Sequence, residues 1–423
     1  MSKYVIVGAS AAGIGAVEAI REVDPVGTIT VISEELCPQY SRPMISDFIS
    51  GKASLEKMKC RDDHFWKKNE AQALTGRTAV RLNLTERYVE LDGGDKVDFE
   101  KLLLATGGKP FIPKIEGADK EGVFTFTTFS DAERLATRIE SAKRAVVIGA
   151  GLIGVSVAEA LAKRGLEVTM VEFKDKILSL ILDPAASEIV ENAIRKAGVT
   201  IVTGQTVQRI LGKPEDDSVV DGAVLTNGDQ VPCDLVIIAI GVVPRMELVA
   251  GTDVKTNRGI IVDKFMRTSV PDVYASGDVA EAYDFIFNEN RLLALWPLAH
   301  LEGRVAGYNM AGKKTDYPGG TSMSALKYFG IPIISVGIAN PKEDGYEVLV
   351  KHEPEKNFYK KLVLKDNVIV GMIFVNDIER AGIIFHLMKN CVNVKKFKQE
   401  LISENFGLAT LPSRLRKKMC LEG

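Results

Sequence analysis

The sequence predicts an α/β protein with two Rossmann-like nucleotide-binding domains and a C-terminal α+β module. Three observations predict it. Residues 4–34 read apolar strand, glycine-rich turn, helix, strand and acidic residue, and residues 145–172 repeat that order, each one βαβ unit long. Two long apolar runs, 101–107 and 234–241, each end in a glycine, Gly107 and Gly241, and suit strands covered on both faces of a parallel sheet. Beyond residue 320 short strand patterns (333–338, 361–364, 368–375) alternate with helical ones (378–389, 393–403), as in a compact α+β module.

At 423 residues the chain is too long for one core. Turn formers gather at 108–113, 242–244 and 313–320. They divide the chain into a discontinuous first domain (1–112 and 242–320), a second domain (113–241) and the C-terminal module (321–423). Hydrophobic residues make up 46% and charged residues 26%, with a net charge of −2, so nothing global points to nucleic acid or an anionic membrane. No apolar run is long enough to span a bilayer. Tyr4 already opens a strand, which leaves no room for a signal peptide, and a cytoplasmic protein is expected. Cys37, Cys60, Cys233, Cys391 and Cys420 form no CxxC pair, and the 4 histidines are scattered, so neither a dithiol centre nor a bound metal is expected.

The first glycine motif is Val5-Ile6-Val7-Gly8-Ala9-Ser10-Ala11-Ala12-Gly13. Gly8 permits the tight turn, the small Ser10 lets a pyrophosphate approach the backbone, and Gly13 lets helix and strand pack closely. The helix N-terminus supplies free N–H groups for phosphates. Glu34 follows the second strand, where a carboxylate accepts hydrogen bonds from an adenosine ribose. The second motif is complete: Gly149, Gly151, Leu152, Ile153 and Gly154, then Glu172. A carboxylate at that position repels the extra phosphate of NADP, so Glu172 argues for NAD(H); Lys174 and Lys176 just beyond argue the other way. A third motif, Pro271 to Ala280, places Asp278 after Gly277 at a strand end, where a carboxylate can bind a flavin's ribityl hydroxyls or merely shape a turn.

The set Gly8/Ser10/Gly13, Ala105-Thr106-Gly107, Gly149/Gly151/Gly154 and Tyr274-Ala275-Ser276-Gly277-Asp278 resembles the pyridine nucleotide-disulfide oxidoreductase superfamily over about residues 1–320 and, more loosely, beyond. The resemblance implies an FAD-dependent NAD(P)H oxidoreductase, with FAD in the first domain, NAD(P)H in the second and a homodimer made by the C-terminal module. It implies FAD contacts at Gly8, Ser10, Ala12, Gly13, Glu34, Arg42, Pro43, Ala79, Ala105, Thr106, Gly107, Gly277 and Asp278. It implies NAD contacts at Gly149, Gly151, Leu152, Ile153, Gly154, Glu172 and Gly241. It also implies a helix from about Ala299 to Met310 whose N-terminus faces the flavin, where it stabilises negative charge on the reduced ring.

Residues 34–52, with Tyr40-Ser41-Arg42-Pro43-Met44-Ile45-Ser46, look like the corresponding segment of rubredoxin reductases, nitrite reductase flavin domains and ferredoxin-linked relatives. Related NADH oxidases and coenzyme A disulfide or persulfide reductases carry a redox cysteine there. Here that position falls at about Pro43. Cys37 lies six residues earlier, a span of up to about 20 Å when extended. It is either a redox thiol folded back to the flavin or a packed thiol. Arg42 either contacts the cofactor or makes a surface salt bridge. Where many relatives have a glutamate after the second fingerprint, this chain has Ser156, with Glu159 one turn later.

The expected activity is hydride transfer from NADH to the flavin, then electron transfer to a small iron–sulfur or rubredoxin-type protein, in either direction. Lys395, Lys396, Lys398, Arg414, Arg416, Lys417 and Lys418 offer such a partner a basic face, or are simply solvated. The competing readings are an NADH oxidase or coenzyme A disulfide/persulfide reductase working through Cys37, and a non-enzymatic flavin-binding redox partner.

Overall fold

A computed structural model describes residues 3–37 and 39–422; Pro38 and the side chains of Lys418, Cys420, Leu421 and Glu422 lie outside the described residues. The chain forms two compact units. One comprises residues 1–111, 127–134 and 241–321, the other 112–126, 135–240 and 322–423.

The core of the first unit is a five-stranded parallel sheet in the order Val273–Ala275, Lys101–Leu104, Lys3–Val7, Thr28–Ser33, Ala71–Thr75. Leu102, Leu103 and Leu104 are fully buried. Their continuous apolar run reflects burial on both faces, because parallel sheets are covered on both sides. The helix Ala11–Val23 follows the Lys3–Val7 strand directly. It packs closely on the helix Trp296–Met310, since a Cβ built at Gly303 would lie 2.0 Å from the Ala12 carbonyl oxygen and one at Gly307 2.5 Å from that of Ala16. That second helix starts one turn before the expected Ala299, with Pro297 in its first turn, where a missing N–H removes nothing from the helix. Two of the turn-former segments pair with each other: Gly108–Pro110 runs antiparallel to Val242–Pro244. A three-stranded meander over 79–98, invisible in the glycine pattern, and a three-stranded sheet of Ile260–Ile261, Ala280–Asp284 and Glu289–Leu292 complete this unit's sheets.

The second unit repeats the plan. Its parallel sheet runs Thr200–Thr203, Glu167–Glu172, Arg144–Ile148, Leu235–Ile238, Val123–Thr125, and the helix Leu152–Lys163 follows the Arg144–Ile148 strand. The same unit holds an antiparallel sheet in the order Met323–Tyr328, Ile331–Gly337, Val368–Val375, Phe358–Lys365, Glu347–Glu353, and a helix at Ala381–Lys389. Residues 393–403 are not the helix that the pattern predicts. Asn393 pairs with Val368, its side chain accepts from Lys395 N–H at 3.1 Å, and only a 3-10 turn follows at Lys398–Ile402. An asparagine that caps its own backbone offers a turn in competition with a helix.

Among the described residues no helix is long and apolar enough to cross a membrane, and no cluster of His, Cys, Asp or Glu is arranged to hold a metal ion. Cys37, Cys60, Cys233 and Cys391 are free thiols.

Candidate functional site

In the first unit the strand register builds the site. Val7 pairs with Ile32 on one side and Leu104 on the other, and Leu104 pairs with Ala275. The residues that follow each strand, Gly8, Ala105 and Ser276, therefore meet at the carboxyl end of one sheet. The order of connection reverses there, between the Lys3–Val7 strand and its two neighbours, which is where open α/β sheets bind ligands. Gly8 has φ +112°, and a Cβ on it would lie 2.0 Å from the Ala105 carbonyl oxygen. Only glycine fits such a turn. Gly13 is held as tightly, since its Cβ would meet the Gly8 carbonyl oxygen at 2.0 Å. Ser10 is the N-cap of the fingerprint helix, makes no side-chain cap bond, and leaves the first N–H groups available.

Thr106 and Gly107 are tied down from the return segment. Thr106 Oγ1 donates to Arg245 O at 2.8 Å, and Arg245 N–H donates to Gly107 O at 2.9 Å. Around Gly107 the space a side chain would fill is open. Asp278 follows Gly277 in a one-turn 3-10 helix; burial pushes its carboxyl up, and Arg42 opposes the shift. Gly277 sits against Ala12, with a built Cβ 3.3 Å from the Ala12 Cβ. Ala79 opens the first strand of the meander, opposite Leu91, and packs against the sheet's apolar core.

Glu34 is displaced from its expected equivalence. Gly8 N–H donates to Ile32 O at 2.8 Å, as Gly149 N–H donates to Val171 O at 2.7 Å. Ser33, not Glu34, thus occupies the position in the first repeat that Glu172 occupies in the second. Glu34 lies one residue further along and pairs with Arg245 at 2.5 Å. Arg42 makes a salt bridge, one of the two alternatives that the sequence left open. Its guanidinium pairs with Glu35 and donates to Thr127 O at 2.9 Å, and it is also the cation acting on Asp278. Tyr40 braces the same turn, donating to Glu35 at 2.7 Å and accepting Phe129 N–H at 2.8 Å. Pro43 is exposed in the 3-10 turn Arg42–Met44. Cys37 lies among a different set of charges: burial pushes its thiol up, Asp63, Glu35 and Glu56 push the same way, and only Lys59 opposes. A thiol so placed stays protonated, whereas a nucleophile must be thiolate.

The second unit carries the same corner. Gly149 has φ +98° and a built Cβ 2.6 Å from the Ala239 carbonyl oxygen, while a Cβ on Gly154 would lie 1.9 Å from that of Gly149. Gly151, the N-cap of the helix that Leu152, Ile153 and Gly154 begin, faces open space. Gly241, which the contacts assign to the first unit, also faces open space, with φ +109°. Glu172 accepts Ala150 N–H at 2.7 Å and Lys174 N–H at 2.9 Å through different oxygens. Each oxygen retains a lone pair for a further donor. Glu159 is engaged by Lys163 at 2.7 Å.

The arrangement fits a dinucleotide in each unit on structural grounds. Gly107 in the first unit and Gly151 in the second face open space beside their strand-to-helix corners. Ser276 is 0% exposed, yet its Oγ has no hydrogen-bond partner, a buried polar atom that a polar ligand would satisfy. Pattern reading missed three residues: Glu35, Tyr40 and Glu302. Glu302 was legible as the lone acid on the helix face that also carries Ala299, Gly303 and Ala306.

Comparison with known proteins agrees with this geometry. Residues 2–303 match the pyridine nucleotide-disulphide oxidoreductase family, and residues 323–392 match the rubredoxin NAD+ reductase C-terminal domain. The chain is 34% identical over 406 residues to the NADH-dependent phenylglyoxylate dehydrogenase subunit epsilon of Aromatoleum evansii, covering 95% of each. It is 28% identical over 384 residues to the NADH-rubredoxin oxidoreductase of Clostridium acetobutylicum, covering 90% of this chain and 91% of that one. Among solved structures, the NAD-dependent persulfide reductase from A. fulgidus superposes with TM-score 0.87 at 27% identity, covering 99% of this chain and 83% of that one. The chain belongs to the pyridine nucleotide-disulphide oxidoreductase family, as an FAD-dependent NAD(P)H oxidoreductase.

Proposed function

We propose that this protein passes electrons between NADH and a small iron–sulfur or rubredoxin-type protein, or a protein subunit with such a centre. The observation that carries the acceptor is the environment of residues 37–43. Pro43 stands where thiol-using relatives place a redox cysteine, and Cys37 is held as a thiol by burial and three carboxylates. Disulfide chemistry then lacks its nucleophile. The named relatives point the same way: one reduces rubredoxin, and another is a subunit of an NADH-dependent dehydrogenase.

In this reading FAD lies along the Gly8–Gly13 turn, with Ser10, Ala12, Ala105, Thr106, Gly107, Gly277 and Ala79 lining its path. When bound, it supplies the two-electron to one-electron conversion that the side chains lack. The fingerprint helix presents N–H groups to the pyrophosphate. Asp278 accepts from ribityl hydroxyls, and Arg42, fixed by Glu35 and Thr127, balances its charge. Glu34 reaches the adenosine ribose from one position beyond the register site. Pro43 closes the turn beside Arg42. Gly149, Gly151, Leu152, Ile153 and Gly154 receive the second pyrophosphate. Glu172, held by two backbone N–H groups, uses its remaining lone pairs on the ribose hydroxyls, which favours NADH over NADPH. Residues 1–112 with 242–320 form the FAD domain, 113–241 the NAD domain, and 321–423 the module through which two copies dimerise. The protein works in the cytoplasm, and exposed Lys395 and Lys396 meet an acidic partner.

The test is anaerobic. The protein is reduced with NADH and offered rubredoxin, ferredoxin, oxygen and coenzyme A persulfide in turn. Reoxidation by an iron–sulfur protein or rubredoxin, with Cys37→Ser leaving the rate unchanged, is the expected outcome. Loss of turnover in Cys37→Ser, with persulfide or disulfide as the fast oxidant, sinks the reading.

A further inference from the structure

The helix Trp296–Met310 carries one carboxyl on its buried face. Glu302 is 2% exposed. Its Oε2 accepts Gly277 N–H at 2.8 Å, and its Oε1 accepts the Tyr317 hydroxyl at 3.2 Å. Gly277 is the residue before Asp278, so one peptide separates the two carboxyl groups. The neighbouring Gly303 packs against the first turn of the fingerprint helix, its built Cβ 2.0 Å from the Ala12 carbonyl oxygen.

Among the described residues no counter-charge faces this acid. Asp278 faces it from the 3-10 turn, and Tyr317 from the segment after the helix, with Asp284 beyond Tyr317. The fingerprint helix presents Ala12, Ala16 and Ala19 on this side. Its Glu18 and Glu22 are engaged by Arg61, His300 and Arg304. Arg42 opposes Asp278, but among the described residues no cation pairs with Glu302.

We infer that Glu302 is a proton-bearing partner of the flavin, protonated whenever the flavin is reduced and releasing that proton on reoxidation in alkaline solution. The inference rests on the reading of the Gly8–Gly13 turn as the FAD site. Its physical basis is repulsion. Burial, with Asp278 adding to it, pushes the Glu302 carboxyl up to about 8. Extra negative charge on a bound cofactor beside Asp278 disfavours a second carboxylate further. The balance is simple. NADH delivers two electrons and one hydrogen as hydride and leaves as NAD+. Water supplies the additional proton, an O–H bond forms on the Glu302 carboxylate, and hydroxide remains. When the acceptor removes the electrons, that O–H bond breaks and the proton returns to solvent.

The experiment compares the holoenzyme with Glu302→Gln in dithionite titrations, which need no NADH. The midpoint potential of the bound flavin is followed against pH. Glutamine imitates the protonated acid: its carbonyl oxygen accepts Gly277 N–H and its amide N–H donates to the Tyr317 hydroxyl oxygen, so the variant retains the fold. Below about 8 the two proteins have parallel slopes of one proton per electron pair. Above it the wild type steepens to two protons per electron pair, and Glu302→Gln does not. Parallel slopes at every pH, with flavin bound, overturn this inference alone; protein that cannot be loaded with flavin overturns the cofactor assignment and this inference with it. A second readout uses only the wild type. Its redox-difference infrared spectrum, with glutamate carbon-labelled, gains a protonated carboxyl band on reduction above that pH, and the absence of that band is equally fatal.

Discussion

Burying Glu302 sets its carboxyl against its own solvation, and the consequence is measurable apart from any redox chemistry. An unfolded chain releases this proton near 4.5, whereas the folded chain holds it up to about 8. Between those values the native state binds the extra proton, so its stability falls as pH rises, by about 1.4 kcal/mol per pH unit. Glu302→Gln has no proton to lose. Paired urea melts across that window are expected to show the variant gaining on the wild type steadily with pH, then levelling off above it. A constant gap means that the carboxyl titrates normally and the network with Gly277 and Tyr317 holds it ionised. Single residues were also where sequence reading was weakest. An acid at the end of a strand was legible, but the one-residue offset that gives Glu34 to Arg245 and puts Ser33 at the position equivalent to Glu172 depends on strand register. The two faces of Arg42, one toward Glu35 and one toward Asp278, depend on a turn folding back, which no spacing rule encodes.

Elements were read far better, because glycine patterns report backbone geometry directly. Both strand–turn–helix corners and both buried central strands appear where the pattern put them, since a buried parallel strand must be apolar throughout. The missing helix at 393–403 marks the limit: helical spacing was present, but the Asn393 turn overrides it locally. The second corner makes a sharp contrast possible. Gly154→Ala places a methyl 1.9 Å from the Gly149 carbonyl oxygen, so helix and strand must separate. Overpacking of that kind costs about 1–3 kcal/mol. Gly151→Ala meets nothing within 4 Å and folds normally, yet its methyl occupies the path proposed for the pyrophosphate. The expected result is a lowered melting temperature for Gly154→Ala, and for Gly151→Ala an unchanged one with NADH affinity weakened about tenfold, or 1.4 kcal/mol. If Gly151→Ala binds NADH as tightly as the wild type, the corner is structural only.

At the scale of the whole molecule, neither compact unit is a continuous stretch of chain. The first takes residues from the start, the middle and the 241–321 region, so it cannot close until the segments between have been made. The second gathers the C-terminal sheet onto the Gly149–Gly154 fold through buried and part-buried polar links. Tyr328 donates to Leu152 O at 2.8 Å, Ser335 to Ile181 O at 2.6 Å and Asn340 to Leu182 O at 3.0 Å. Lys361 meets Asp183 at 2.9 Å, with both side chains at or below 10% exposure. Removing one member of a buried pair costs about 3–5 kcal/mol, because the other is left unpaired. A chain ending at residue 321 loses all of these donors while leaving Asp183 in place. The first unit contributes none of the four, so the damage is expected to be selective. The shortened protein retains flavin, read from its visible absorbance per polypeptide, but binds NADH weakly in anaerobic quenching titrations. Loss of flavin in step with loss of NADH binding contradicts that division of labour. So does NADH affinity equal to that of the full chain, because the links to Leu152, Ile181, Leu182 and Asp183 would then carry no weight in shaping the second nucleotide site.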